Sequence, residues 1–196
     1  MTAQPKHYYT PEEYLVIERE ATEKSEYFQG EMFMMAGGTF NHNRIRENIS
    51  GELFPIVKKR GCQSLSSDMR VHVPYNGLYT YPDATITCGK LEFLDGKQDT
   101  LLNPAVIIEV LSGSTASYDQ GEKFELYRSI PSFREYILID SRRVKAEVWQ
   151  KNEKDQWTLI LETTNLAESI PIQCVEASIP IASLYEQTVG ILQENE

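Results

Sequence analysis

Apolar residues recur along this chain at different spacings, and each spacing predicts a different element. Ile45, Ile49, Leu53 and Ile56 recur at steps of three and four within HNRIRENISGELFPIVKKR, which predicts a long amphipathic helix ending before Gly61. Gly51 and Pro55 weaken its middle. Elsewhere the period is two. Met69, Val71 and Val73 alternate with Arg70 and His72, the pattern of a half-exposed strand stopped by Pro74. In PDATITC, Ala84, Ile86 and Cys88 face one way and Asp83, Thr85 and Thr87 the other. The stretch PAVIIEVLS, residues 104 to 112, is almost continuously apolar, as in a strand covered on both faces, except that Glu109 sits inside it.

Local signals supply the remaining elements. Thr10, Pro11 and Glu13 spell a capping box with proline at the first helical position and predict a helix over 11–20. SEYFQGEMFMMAGG reads as two short strands turning at Gln29 and Gly30, and a polar hairpin-like segment surrounds Asp95 and Gly96. Ser114 or Thr115 caps a helix running to about Ser129, with Phe124, Leu126 and Tyr127 among its apolar residues. EYILID is a strand, VKAEVWQ and WTLILET form a hairpin across KNEKDQ, and IASLYEQ is a last short helix. No repeat or long linker interrupts them, so residues 1–196 are expected to form one domain. The element order predicts an α/β (α+β) fold with a mixed sheet and helices packed on it.

Composition narrows the function. No apolar run approaches the roughly 20 residues of a membrane span, and the start MTAQPKHYYTPEEY lacks a secretory apolar stretch, so a soluble, cytoplasmic protein without membrane partners is expected. Cys62, Cys88 and Cys174 form no CxxC pair and are expected to be reduced, buried small side chains. A formal net charge of −10 argues against binding nucleic acid through the overall field, yet leaves room for a local basic groove. Lys58, Lys59 and Arg60 form one short basic run, and Arg142, Arg143 and Lys145 another; the ordinary explanation of both is a solvated surface. There is no GxxxxGK[ST], GxGxxG or GxSxG sequence, so nucleotide-binding loops and serine hydrolase chemistry have no support.

Glu109 is the chemical anomaly. An ionised group in a low-dielectric interior costs several kcal/mol unless it is paired, holds a metal or takes up a proton. Two readings stand side by side: half of a buried ion pair with a lysine or arginine, or a metal ligand. Asp83, 26 positions earlier on a strand expected to be adjacent, is either a strand-start residue held by a backbone N–H or a second ligand. Two carboxylates converging from neighbouring strands suit Mg²⁺ or Mn²⁺, which prefer oxygen ligands and keep water and phosphate in the remaining positions. Lys123 stands four residues after Asp119, the spacing of a surface salt bridge, but on the helix that follows the Glu109 strand.

YPDATITC, NPAVIIEVLSGST, DQGEK and YRSIPSFREYILID in this order, preceded by GEMFMMAGGTFNH and followed by PIASLY, resemble the bacterial Uma-two family, which is placed in the PD-(D/E)xK nuclease superfamily. The resemblance implies a restriction-endonuclease-like core, a central mixed sheet flanked by helices, and metal-dependent cleavage of a nucleic-acid phosphodiester. It implies Asp83 and Glu109 as catalytic metal ligands for Mg²⁺ or Mn²⁺, with nucleic acid, DNA ahead of RNA, as partner and a homodimer as the working state. The superfamily's lysine normally stands two residues after the second acid; here that position is Leu111. The resemblance offers Lys123 as a migrated catalytic lysine, oriented by Asp119, through a D-x-x-x-K pattern on the next helix. It further suggests Glu52, rather than Glu47, as an acid on the early helix, and His42 at that helix start as a phosphate-binding or capping histidine, whereas His7 and His72 look incidental. The alternative is a catalytically inactive nuclease-fold binding or accessory module, motivated by Leu111 and by the negative charge.

Overall fold

The protein is described by a computed structural model covering residues 7–113 and 115–191. Helix α1 (Pro11–Glu20) carries its capping box: the Glu13 N–H donates to Thr10 Oγ1 at 3.2 Å and the Thr10 N–H to Glu13 Oε2 at 2.8 Å. Strands β1 (Ser25–Phe28) and β2 (Glu31–Met34) form the expected hairpin. Gln29 and Gly30 both take positive φ, 49° and 88°, as a two-residue turn matched to the strand twist requires.

Helix α2 (Phe40–Lys58) is the long amphipathic helix, and its buried stripe is Ile45, Ile49, Leu53 and Val57, with Ile56 partly covered. Pro55 has no N–H for the carbonyl four residues back, which belongs to Gly51, so the two weak positions coincide on the exposed side. The helix runs through them because buried anchors flank that turn on both sides.

The chain continues through β3 (Cys62–Ser66), β4 (Arg70–Val73), β5 (Leu78–Thr80), β6 (Ala84–Cys88), β7 (Thr100–Leu101) and β8 (Val106–Leu111). Two short helices, α3 (Ala116–Gln120) and α4 (Glu122–Tyr127), precede β9 (Glu135–Asp140), β10 (Ala146–Lys151) and β11 (Trp157–Thr163). A ribbon of β12 (Ser169–Ile172) and β13 (Ala177–Pro180) leads to α5 (Ile181–Leu184). The six-stranded sheet has the order β11-β10-β9-β8-β6-β3, and a five-stranded sheet the order β2-β1-β5-β4-β7. Both are mixed: β8 and β9 run parallel in the first and β4 and β7 in the second, the other pairs being antiparallel.

The six-stranded sheet divides the core, which is why β8 is apolar on both faces. Val106, Ile108 and Val110 join Ala84, Ile86 and the stripe of α2 on one side. Ile107 and Leu111 face the other side, packing with Phe124 and Tyr127 of α4 and with Val71, Val73, Leu78 and Leu101 of the second sheet. By alternation Glu109 points to this second side, toward α4.

Four sequence expectations change. Instead of one central sheet there are two large ones. The β4 strand is buried throughout, not half-exposed, because a tyrosine cluster covers the side that alternation assigned to water: His72 stacks on Tyr79 at 3.9 Å, and Arg70 bonds Thr100 and Tyr81. The expected helix to Ser129 is broken at Gly121, whose φ of −110° and ψ of −96° lie outside the helical region, and Thr115 makes no side-chain cap bond; Ser114 lies outside the described residues. Finally, Cys62 and Cys88 are direct partners across β3 and β6 and form a disulfide, leaving Cys174 as the free thiol. Directly opposed antiparallel residues come close enough for this bond, and register is not readable from one chain.

The coincidence at Gly51 is testable. An added Cβ there meets nothing within 4 Å, so Gly51→Ala should stabilise the protein by about 0.5–1 kcal/mol by removing glycine's backbone entropy cost. Urea unfolding should show a higher midpoint at unchanged slope; an unchanged midpoint would mean that the backbone around Gly51 and Pro55 needs glycine.

Candidate metal and phosphodiester site

Asp83, Glu109, Lys123, Asp119 and His42, all singled out from sequence, meet at one place. The β6–β8 pairing sets Ala84 opposite Ile108, which brings Asp83, one residue before β6, to the end of β8. Asp83 Oδ2 accepts the Val110 N–H at 2.8 Å, and Glu109 Oε2 lies 3.4 Å from the Asp83 N–H. The strand-start reading of Asp83 is therefore correct as far as it goes: a backbone N–H holds one oxygen. Its other oxygen, Oδ1, faces Arg46 Nε at 3.2 Å, while His42 Nε2 stands 3.4 Å from Oδ2. His42 and Arg46 are one turn apart at the start of α2, so a single helix face presents both.

Glu109 is 3% exposed and is held from α4: Lys123 Nζ lies 3.0 Å and the Tyr127 hydroxyl 2.9 Å from Oε1. Lys123 is itself 4% exposed. A solvated i,i+4 pair is excluded; its contact to Asp119, at 3.5 Å, is one of three carboxylate contacts, the third being Glu26 Oε1 of β1 at 3.1 Å. The Thr80 hydroxyl donates to the same Glu26 oxygen, and Arg46 donates to the Ser67 hydroxyl. The Tyr136 hydroxyl donates to the Asp119 carbonyl at 2.9 Å, fixing the short helix that carries Asp119.

Charge bookkeeping explains the protonation. Burial raises the Glu109 carboxyl to about pKa 8; Lys123 opposes this, and the charges of Asp119 and Asp83 add to it. Burial also raises Asp119 against the pull of Lys123. For Lys123 burial works against the ammonium, but Glu109, Tyr127, Glu26 and Asp119 outweigh it and hold its pKa well above the ordinary value. One ammonium thus serves several acids, and the affinity for a proton rises at both Glu109 and Asp119.

Glu26, Arg46, Tyr127 and Thr80 were not singled out from the sequence. The four-residue step from His42 to Arg46 was legible, whereas Glu26 and Thr80 belong to the second sheet and reach the site only through tertiary packing. Glu52 is not drawn in: among the described residues no ion pair or hydrogen bond joins it to Asp83, Glu109 or Lys123, and Glu26 supplies the additional acid instead. His7 and His72 lie elsewhere, against Tyr9 and Tyr79. Of the basic runs, Arg142 and Arg143 pair with Asp140, and Lys145 with Glu147 and Glu162.

The donor set suits a hard cation. Its potential ligands are carboxylate oxygens, and a backbone N–H already orients Asp83. Among the described residues no group of three His, Cys, Asp or Glu stands in ligating geometry. An ion held by Asp83 and Glu109 would therefore complete its shell with water and substrate oxygens, as Mg²⁺ ordinarily does, so two residues suffice for the fit.

Comparison with known proteins agrees with this architecture. The model of the Uma2 family, described as putative restriction endonuclease, matches residues 11–181. Uncharacterized protein sll1609 of Synechocystis sp. is 42% identical over 151 residues, covering 76% of this chain and 85% of that protein. Uncharacterized protein slr1290 of the same organism is 34% identical over 152 residues, covering 77% and 78%. A crystal structure of a putative nuclease belonging to DUF820 from Anabaena variabilis superposes with a TM-score of 0.74 at 17% identity, over 90% of this chain and 97% of that one, and so shares the fold. Among the described residues no helix is long and apolar enough to cross a membrane.

The raised Glu109 pKa fixes a pH dependence. A carboxyl whose folded pKa of about 8 exceeds its ordinary value of 4.5 contributes stability in full below pH 4.5 and loses it as pH rises to 8. Metal-free protein in chelator should therefore lose stability across that window relative to Glu109→Gln, by up to about 1.4 kcal/mol per pH unit. Urea titrations of the two proteins at several pH values measure the difference, and a pH-independent gap would mean that Glu109 stays ionised beside Lys123.

Proposed function

The chain belongs to the Uma2 family of putative restriction endonucleases, and on that premise we propose that it is a metal-dependent nuclease hydrolysing nucleic-acid phosphodiester bonds, with DNA ahead of RNA as substrate. The observation that carries this reading is the meeting of Asp83 and Glu109 with a buried ammonium, Lys123, that comes from the following helix rather than from the β8 strand. Leu111, at the position where the superfamily carries its lysine, is buried in the core and plays no chemical part.

Asp83 and Glu109 are the ligands in this reading. A bound Mg²⁺ or Mn²⁺ supplies polarisation of the phosphoryl oxygen and acidification of a water molecule. The chain's own groups do the rest. The Val110 N–H orients Asp83, while Tyr127 and Lys123 orient Glu109. Lys123 keeps a positive charge beside the reacting phosphate, where low dielectric strengthens its effect on developing negative charge. Glu26 and Asp119 hold that ammonium in place when Glu109 turns to a ligand role. Arg46 and His42 face the site from α2 and are suited to a phosphate oxygen. A homodimer would let two such sites address both strands.

The alternative, a nuclease-fold binding module without catalysis, draws on Leu111 and on the fully paired state of Lys123. Calorimetric titration separates them: the nuclease reading requires Mg²⁺ or Mn²⁺ binding that Asp83→Ala abolishes, while no binding at millimolar ion favours the module.

Incubating the protein with single-stranded, duplex and branched DNA and RNA in Mn²⁺ should give cleavage. Asp83→Ala should lower it by at least about a hundredfold, the order expected when electrostatic stabilisation of the transition state is lost. Undiminished cleavage by Asp83→Ala overturns the assignment.

A further inference from the structure

The run Lys58-Lys59-Arg60 has no part in the site above, and its surroundings give it one. At the end of α2, Lys58 and Lys59 are exposed and make no ion pair among the described residues, in a chain whose net charge is −10. Arg60 differs, being paired with Glu176 at 2.5 Å. One turn before Lys58 stands Phe54, 63% exposed, with the Lys58 ammonium 5.9 Å from its ring centre. An exposed aromatic face beside a cation suits stacking of a nucleobase with its phosphate near the ammonium.

Phe54 borders a groove of about 320 Å³ between α2 and the edge strand β3, lined also by Leu53, Leu65 and Ala84 and by the hydroxyls of Ser50, Ser64 and Ser66. The groove lies next to the candidate site through neighbouring residues. Ser66 pairs with Ala84, the neighbour of Asp83. Ser67, the next residue, takes the hydrogen bond of Arg46, which stands 3.2 Å from Asp83. From Arg46 to Lys58 the helix rises about 18 Å, the length of about five stacked nucleotides at ~3.4 Å each.

We infer that the α2–β3 groove is the track of a single nucleic-acid strand, in which Phe54 stacks a base, the serine hydroxyls meet the sugar-phosphate chain, and Lys58 and Lys59 take phosphates, delivering the strand to Asp83. The inference rests on the nuclease reading for the site at its end, and names a single strand, rather than a closed duplex, as the form that is gripped. Stacking on one aromatic ring needs an unpaired base, and a small groove whose floor is apolar and whose polar groups are three serine hydroxyls suits a base and its sugar rather than a closed duplex. Glu47 is exposed one helical stripe position nearer the site, two turns before Phe54, and works against the phosphates there.

Binding of fluorescein-labelled oligothymidylate, oligouridylate and a closed DNA hairpin, measured by anisotropy in chelator, tests this apart from catalysis. The single strands should bind more tightly than the hairpin stem. Phe54→Ala should weaken single-strand binding about tenfold, and Lys58→Ala with Lys59→Ala should flatten the log-log salt dependence by about 1.4, at ~0.7 per lost phosphate contact. Ser50→Glu, an exposed helical position where folding is not at risk, should weaken binding and Glu47→Gln should strengthen it. Unchanged binding and salt slope in these variants, or preference for the hairpin, overturns the groove. Strand binding that follows this pattern in a protein that never cleaves would instead retain the groove and overturn the nuclease reading.

Discussion

Three carboxylates stand within 3.5 Å of the Lys123 ammonium, and that ammonium is cut off from water. The geometry around it follows from the need to keep such a charge paired. Removing the ammonium would leave buried carboxylates uncompensated, a change that costs about 3–5 kcal/mol for buried pairs in general. The partners come from far apart in the chain: Glu26 from the second sheet, Glu109 from the central strand of the first, Asp119 and Lys123 from two short helices. The ion cluster therefore ties both sheets and the α3–α4 segment to one point, and the break at Gly121 lets Asp119 and Lys123 approach it from separate helices.

That cluster also reconciles two explanations of Glu109 that look exclusive in the sequence. The residue is half of a buried ion pair, and it stands beside Asp83 at the end of adjacent strands, where a hard cation would be held. The two roles compete for the same oxygens. A site that pairs its lysine with its acid in the absence of an ion is protected from the full desolvation cost, and Glu26 and Asp119 offer Lys123 somewhere to remain when Glu109 is taken up elsewhere. Burial first, and then the excess of acids over cations, raises the proton affinity of Glu109 and of Asp119.

Helix α2 links the site to the surface. Its buried stripe seats it on the six-stranded sheet, its first turns aim His42 and Arg46 at Asp83, and its last turn carries the free lysines. One helix thus spans from Asp83 to a basic, exposed end, which gives local positive charge in a protein whose formal net charge is −10.

The chain's own pattern was enough to specify the capped α1, the β1–β2 turn, the α2 stripe, the doubly covered β8 and the β10–β11 hairpin, because each depends on periodicity or backbone preference within a few residues. It also singled out Glu109, since a carboxylate in an apolar strand demands a partner wherever the chain places it, while Asp83 followed from the expected strand neighbourhood and Lys123 from its helix and the family resemblance. Only the tertiary structure decided that β4 is buried on both sides, that Cys62 faces Cys88, that one helix is two, and that Glu26, Arg46, Thr80 and Tyr127 complete the site while Glu52 does not. These depend on strand register and on which surfaces come to cover one another. Residues far apart in sequence meet through the packing of whole sheets, and no local spacing encodes that distance.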